Sequence, residues 1–318
     1  MRIFHSSTGL PDDARGAAVA IGNFDGIHHG HRAVIDKARE VAEAEGVPWG
    51  VLTFEPHPRS FFRPHEPPFR LTSPSTKARL IEALGADLLF VLAFDRELAR
   101  HSAEAFVDEI LARDLAIRHA VVGQDFHFGR DRRGTPELLR RLAPRYGFGV
   151  TEVASVIGED GVEYSSTRIR EHLQNGRPEE AARLLGHWWE IDGTVEHGQK
   201  RGRTIGFPTA NVALGDNLRP ATGVYAVRVG VEEEEGAATR WYDGAANFGR
   251  RPTVDGTDLL LEVHLFDYTG DLYGKRVRVQ FVAYIRPERK FDGLDALKEQ
   301  IAVDCAEARR LLAGVSSP

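Results

Sequence analysis

The chain is nearly free of sulfur, with one cysteine, Cys305, and one methionine in 318 residues. A single thiol excludes any disulfide within the chain and fits a reducing compartment. Long apolar runs are missing too, and nothing approaches the ~20 residues that a bilayer-spanning helix needs. The opening stretch MRIFHSSTGLPDD lacks the apolar segment of a secretory leader. The expected location is the cytoplasm, with no membrane partner. Positive charge is not in excess either: 41 Lys and Arg face 47 Asp and Glu, a formal net charge of −6. That balance argues against a dedicated nucleic-acid binder, and an anionic substrate would need a local basic pocket. No GxxxxGK[ST] occurs, so a Walker-type phosphate loop is absent.

What is present is an ordinary globular composition, 42% apolar and 28% charged, in a chain of 318 residues. That is about twice the ~150 residues of a typical domain, which predicts two domains. From 17 to about 155, apolar runs alternate with helical patterns. AAVAI (17–21), WGVLTF (49–54), ADLLFVLAF (86–94), AIRHAVVG (116–123) and FGVTEVASV (148–156) read as strands. Between them lie helical segments, with Gly46 and Gly85 as stops, and Thr135, Pro136 and Gly147 as N-cap, first residue and end of another. This alternation predicts a parallel, doubly wound sheet, and near-continuous apolar strands predict burial on both faces. The segment 55–74 holds six prolines, which excludes a regular helix or a central strand. Loops of that length inside a domain are often functional.

Residues 164–186 read as two short helices broken at Asn175-Gly176. The pattern then changes to period 2. Tyr225, Val227, Val229 and Val231 share one face, as do Leu259, Leu261, Val263 and Leu265, and as do Val277, Val279, Phe281, Ala283 and Ile285. This predicts an antiparallel barrel or sandwich. A last helix carries Leu294, Leu297, Ile301, Cys305 and Ala308 on its apolar stripe, so Cys305 reads as core. The predicted domains are 1–185 and 186–318.

One stretch carries chemistry early. GNFDGIHHGH (22–31) places three histidines and three glycines directly after the first apolar run. In open α/β sheets, ligands sit where this segment falls, outside a strand's carboxyl end. Gly22 and Gly26 permit a tight turn and close backbone approach. His28 and His31, three apart, share a face of the first helical turn, and His29 points elsewhere. A helix N-terminus adds N–H donors and partial positive charge, which suits phosphates. The plain alternative is a helix cap. His28-His29-Gly30-His31 resembles the HxGH signature of the nucleotidylyltransferase superfamily, and Ser165-Ser166-Thr167-Arg168-Ile169-Arg170 resembles its SSTxxR motif. In that family the histidines contact the triphosphate as its α-phosphate is attacked and pyrophosphate leaves, without a covalent intermediate. The resemblance implies catalytic roles for His28, His31 and Arg170. It implies ATP or phosphate contacts by Gly22, Asn23, Phe24, Gly30, Ser165, Ser166, Thr167 and Arg168.

A second constellation is GQKRGRTIGFPTAN (198–211). Gly198, Gly202 and Gly206 interleave with Lys200 and Arg203, a basic loop suited to wrapping phosphates. Thr209 and Asn211, two apart, point the same way if extended and offer hard oxygen ligands suited to Mg²⁺. Taken bare, a solvated basic turn explains the stretch as well. It resembles the signature of riboflavin kinase, and GVYAV (223–227), ANFGRRPT (246–253), LEVHLFDY (261–268) and LYGKRVRV (272–279) follow the same family. The resemblance implies Mg²⁺ and ATP-phosphate contacts by Thr209 and Asn211. It makes Glu262, opposite the apolar row of its strand, the general base for the ribityl 5′-hydroxyl.

Together the halves resemble the bifunctional bacterial riboflavin kinase/FMN adenylyltransferase (FAD synthetase) family over about 15–312. The implied fold is a Rossmann-like nucleotidylyltransferase domain followed by an antiparallel β-barrel with a terminal helix. The implied substrates are riboflavin, FMN and ATP with Mg²⁺, and the products FMN and FAD. Phe54, Pro56, Pro58 and Phe62 are implied to lie near the flavin, and Asp125 beside flavin or nucleotide. Tyr164 departs from the aliphatic residue usual before SST. Two alternatives stay open: nucleotidylyl transfer to another phosphorylated acceptor, such as cytidylyl transfer to an alcohol phosphate, and a flavin-binding regulatory protein without turnover. Homo-oligomerisation is left open as well.

Overall fold

A computed structural model describes residues 1–158, 161–196, 206–232, 239–253 and 256–315, with backbone alone at 251–253 and 256–258. The chain divides into two units, Met1–Pro67 with Pro74–Ser165, and Pro68–Ser73 with Ser166–Pro318.

The first unit is built on six parallel strands. They are β1 (Arg2–Phe4), β2 (Ala18–Ile21), β3 (Trp49–Glu55), β4 (Leu88–Ala93), β5 (His119–Gly123) and β6 (Gly149–Val153), in the order β1-β4-β3-β2-β5-β6. Alternate residues of each strand feed two cores, as the side-chain period of a strand requires. Val19, Ile21, Leu52, Phe54, Ala120 and Val122 pack with Phe106, Val107 and Leu111, and with Leu139 and Ala143. Those partners come from α4 (Ala103–Ala105), which continues as π-helical turns through Phe106–Asp114, and from α5 (Pro136–Tyr146). Ala18, Ala20, Val51 and Val121 pack on the opposite face with Ile35 and Ala38 of α1 (His29–Glu45) and Ile81 of α3 (Pro74–Ala83). Helices on both faces explain why the strands carry so few polar residues. The expected caps form: the Thr135 hydroxyl accepts the Leu138 N–H, and Gly46 and Gly147 close their helices in the left-handed region.

Two details differ from the sequence reading. The edge strand β1 is three residues long, too short for a period to register. Inside the proline-rich segment, Pro58–Phe62 forms one helical turn, α2. Pro58 sits at its first position, where the missing N–H has no helical partner to lose.

The second unit is a closed barrel of β7 (Glu190–Glu196), β8 (Ala210–Val212), β9 (Gly223–Val231), β10 (Arg240–Thr253), β11 (Gly256–Leu265) and β12 (Arg276–Arg286), in the order β10-β11-β8-β7-β12-β9. Every pairing is antiparallel, and β9 closes onto β10. The terminal helix α8 (Leu294–Leu312) lies against Ala226, Ala245, Val282 and Ala283, where small side chains let the helix approach. The predicted face of β12 holds from Val277 to Phe281 and fails beyond it. Bulges after Phe281 and after Tyr284 shift the register, so Ala283 and Ile285 join the cluster under α8. The predicted stripe of α8 is corrected in the same way. Leu294 is 55% exposed, while Asp304 is buried because Arg286 and Gln300 donate to its carboxylate.

Two short helices, α6 (Ser166–Gln174) and α7 (Pro178–Leu185), belong to the second unit, as does Pro68–Ser73. Three consecutive carbonyls fasten that segment. Arg170 Nε donates to Phe69 O, the Leu218 N–H to Arg70 O, and Trp189 Nε1 to Leu71 O, at 2.7–2.9 Å. The division by contact therefore falls at Ser165/Ser166, whereas the sequence pattern changes near 185.

Candidate functional site

In the first unit the chain leaves β2 for β3 and β4 on one side, then returns to β5 and β6 on the other. The reversal between β2 and β5 is a topological switch point, and such a sheet opens a crevice outside the carboxyl ends of these strands. The segment 22–31 starts there. His28 is the residue before α1, with extended backbone (φ −69°, ψ 171°), and its Nδ1 accepts the His31 N–H at 3.3 Å. The cap and the histidine pair predicted from sequence are thus the same object. The His28 and His31 rings stack 3.7 Å apart at 21°, and Phe24 meets His31 edge-on at 5.4 Å. His28 is 6% exposed and His31 is half-buried, so the second imidazole is the more accessible.

A Cβ on Gly30 would stand 3.1 Å from the His28 ring and 3.5 Å from Tyr164 O. His29 turns away from the pair and tilts against the Tyr164 ring at 5.0 Å. The stretch leading into Ser165 therefore passes over the start of α1. Ser165 closes the first unit, while Ser166, Thr167 and Arg168 open α6 in the second. Arg170 lies over the Phe69 ring at 5.3 Å and donates to the Phe69 carbonyl. The Phe24 ring is core, so only its backbone is offered to a ligand, and a Cβ on Gly22 would stand 3.1 Å from that ring. Next to His31, burial pulls the Arg32 guanidinium below its ordinary range, against the opposing pull of Asp36.

The aromatic side of this unit gathers at the same ends of β3, β4 and β5. Phe54 is buried between Phe94 and Phe106. Phe61, Phe62 and Phe94 meet edge-to-face at 5.2–5.7 Å, and Phe62 is 63% exposed. Pro56 is exposed and Pro58 half-buried. Asp125 folds back over Gly123 at the end of β5. Phe94, which composition alone did not single out, links the buried and the exposed rings.

In the barrel, Asn211 of β8 stands directly opposite Glu262 of β11, and Glu262 directly opposite Asn247 of β10. Directly paired residues share a face with Cβ atoms about 4.5–5.5 Å apart. Leu261 and Val263 fill the interior, so Glu262 points outward with both amides beside it. His264, two residues on, donates from Nδ1 to the Pro208 carbonyl at 2.8 Å and meets the Phe207 ring edge-on. It fastens the segment that carries Thr209, which is exposed. Asn247 and His264 were not read as site residues because each looks like an ordinary strand position until the register is known. Gly206 is an exposed left-handed turn residue at φ +87°. Gly198, Lys200, Gly202 and Arg203 lie outside the described residues.

Asn211 Oδ1 is buried without a hydrogen-bond partner among the described residues. Leaving such an atom unsatisfied costs about 1–3 kcal/mol. It is a hard oxygen donor, and it fits Mg²⁺. Among the described residues no three His, Cys, Asp or Glu converge as a metal site, so a cation here would rest on neutral oxygens and on the phosphates it accompanies.

Sheet and barrel together define a two-unit transferase, an α/β nucleotidyltransferase fold joined to a barrel. Comparison with known proteins makes the class specific. The FAD synthetase family matches residues 10–168 and the riboflavin kinase family residues 185–312. The chain is 43% identical to the bifunctional riboflavin kinase/FMN adenylyltransferase of Pseudomonas fluorescens, covering 98% of both chains. It is 40% identical to that of Escherichia coli K12 over 100% of this chain and 99% of the other. A solved Streptococcus pneumoniae structure, described as a macrolide-efflux protein, superposes with a TM-score of 0.82 at 32% identity over 99% of both chains. No helix among the described residues here is long and apolar enough to cross a membrane. The chain belongs to the bifunctional riboflavin kinase/FMN adenylyltransferase family.

Proposed function

We propose that the chain phosphorylates riboflavin to FMN at the barrel and then adenylylates FMN to FAD at the parallel sheet, consuming one ATP in each step. The strongest support for the second site is the His28–His31 stack at the sheet's switch point. There the FMN phosphate oxygen attacks the α-phosphorus of ATP, and the bond to pyrophosphate breaks. Because His28 Nδ1 accepts the His31 N–H, a neutral His28 carries its proton on Nε2. That N–H and the His31 ring supply donors to the charge that develops on the phosphates, in a site that need not reorganise. Ser165, Ser166, Thr167, Arg168 and Arg170 form the second phosphate clamp. Phe62 covers the flavin over a wall founded on Phe54, Pro56 and Pro58, with Asp125 at the end of β5.

At the barrel, Glu262 takes the proton of the ribityl 5′-hydroxyl as its oxygen attacks the γ-phosphorus and ADP leaves. Thr209 and Asn211 hold Mg²⁺, which neutralises phosphate charge when bound. The basic stretch with Gly198, Lys200, Gly202, Arg203 and Gly206 wraps the phosphates. The adenylyltransferase part extends to about residue 185 and the kinase part from there on, and the enzyme works in the cytoplasm.

Chromatography of products after incubation with riboflavin, ATP and Mg²⁺ tests the assignment. His31→Ala makes FMN and no FAD, while Glu262→Gln makes neither from riboflavin yet converts supplied FMN to FAD. A folded His31→Ala variant that lost both activities would refute two separate sites.

A further inference from the structure

Lys77 of α3 is 2% exposed, an unusual place for an ammonium. A buried cation is tolerated when it is paired and hydrogen-bonded. Here Nζ donates to Glu55 Oε1 at 2.9 Å and to Thr53 Oγ1 at 3.3 Å. Thr53 and Glu55 share the β3 face that looks toward α3, opposite Phe54. An ammonium has donors only, so it occupies a lone pair of the Thr53 hydroxyl. The Thr53 proton must then go elsewhere, and it goes to Asn23 O, 3.2 Å away. The direction of every bond is fixed: Lys77 to Thr53, Thr53 to Asn23.

The receiving turn needs such a hold. Phe24 has φ +48° and Ile27 φ +46°, and both side chains are buried. Left-handed backbone at bulky residues costs of order 1–3 kcal/mol each and persists only where surroundings impose it. The peptide joining Asn23 to Phe24 is trans, so its N–H points opposite to its carbonyl. Tying Asn23 O to β3 therefore aims the Phe24 N–H away from β3. His28 and His31 lie at the end of the same turn.

We infer that Lys77 and Thr53 are positioning residues for adenylyl transfer: a buried ammonium–hydroxyl relay that sets the peptide orientation of the turn presenting the histidine pair. The inference rests on the placement of that reaction at residues 22–31.

The test uses the full chain and measures kcat and KM for FAD formation from FMN, FMN formation from riboflavin, and thermal unfolding. Thr53→Val, which keeps the shape and removes the hydroxyl, is expected to lower kcat for FAD formation about 10-fold or more, since small misplacements of catalytic groups cost this much. KM for FMN should stay within about 3-fold, the mark of a loss confined to the transition state. FMN formation should be unchanged, and Thr53→Ser should restore kcat. Lys77→Met should repeat the kcat loss; if it does not fold, the Val and Ser pair at position 53 decides alone. A folded Thr53→Val variant with parental kcat overturns the inference. So does Thr53→Ser being as poor as Thr53→Val, or both activities falling together with the melting temperature. His31→Ala in the same assay separates the two levels. If it still makes FAD, the placement of the site is wrong; if it makes none while Thr53→Val is unimpaired, only the relay is.

Discussion

The His28 ring lies on the His31 ring, 3.7 Å between centroids, while its Nδ1 caps the helix that His31 begins to climb. One side chain thus caps the helix and stands in the proposed phosphate site, and substitution can separate the two. Asparagine is a strong N-cap and has no Nε2 donor. His28→Asn should keep the melting temperature close to the parent and lower FAD formation about 10²–10³-fold, the usual effect of removing one preorganised donor. Paired melting and product assays check this, and parental FAD formation would reduce His28 to a cap.

Gly30 sits inside α1, where alanine would normally gain about 1 kcal/mol. Its Cβ, however, would stand 3.1 Å from the His28 ring. Gly30→Ala should therefore leave stability equal or raised while FAD formation falls about 10-fold from a shifted imidazole. A variant both stable and fully active would show that the ring has room to spare.

Asn211 Oδ1 is a buried oxygen without a partner among the described residues. Because an unsatisfied buried group is a net cost, replacing it by an apolar one of similar shape is nearly neutral or stabilising. Asn211→Leu should unfold no earlier than the parent, yet form no FMN. Loss of stability with retained FMN formation would mean that the amide serves the barrel and not the reaction.

Asp304 receives Arg286 through Nε and Nη2 at 2.6–3.1 Å, and both side chains are largely buried between α8 and the barrel. Asp304→Ala strands the guanidinium, and breaking a buried pair from one side costs about 3–5 kcal/mol. Chemical denaturation should show that loss, whereas Asp304→Asn, which keeps an acceptor, should lose less.

Burial, aided by Asp304, pushes the Cys305 thiol up to about 11. A raised value means that the thiol stays protonated at neutral pH and becomes a thiolate only as pH climbs toward that figure. Alkylation of the native protein near pH 8 should run about 10²-fold slower than that of an unstructured cysteine, and unfolding should abolish the difference. Fast labelling of the folded chain would contradict a covered thiol.

Much of this architecture was legible in the chain itself. Ala18 to Ile21 is apolar at every position, so it had to be buried on both faces. Thr135-Pro136 and Gly147 marked α5 at both ends. The period-2 rows of β9 and β11 announced an antiparallel half. HHGH, SSTRIR and GFPTAN pointed to the family by resemblance, since each stretch read bare is also explained by a helix cap or a solvated turn. The pattern misled where one residue changed the register, as at the β12 bulges, or where a polar side chain found a buried partner, as Asp304 did in the stripe of α8.

What the sequence by itself determined is the run of the longer strands and helices, the two fold types, and the short motifs, since these depend on neighbours within a few positions along the chain. Tertiary structure alone decided which distant residues meet. Glu262 faces Asn211 and Asn247 only because strands β8, β11 and β10 pair in one register. Lys77 reaches Thr53 across 24 positions, and Thr53 reaches Asn23 across 30, only because helix and strand pack on one another. Such bonds form between groups brought together by burial of apolar surface, a force without direction, so no local spacing records them.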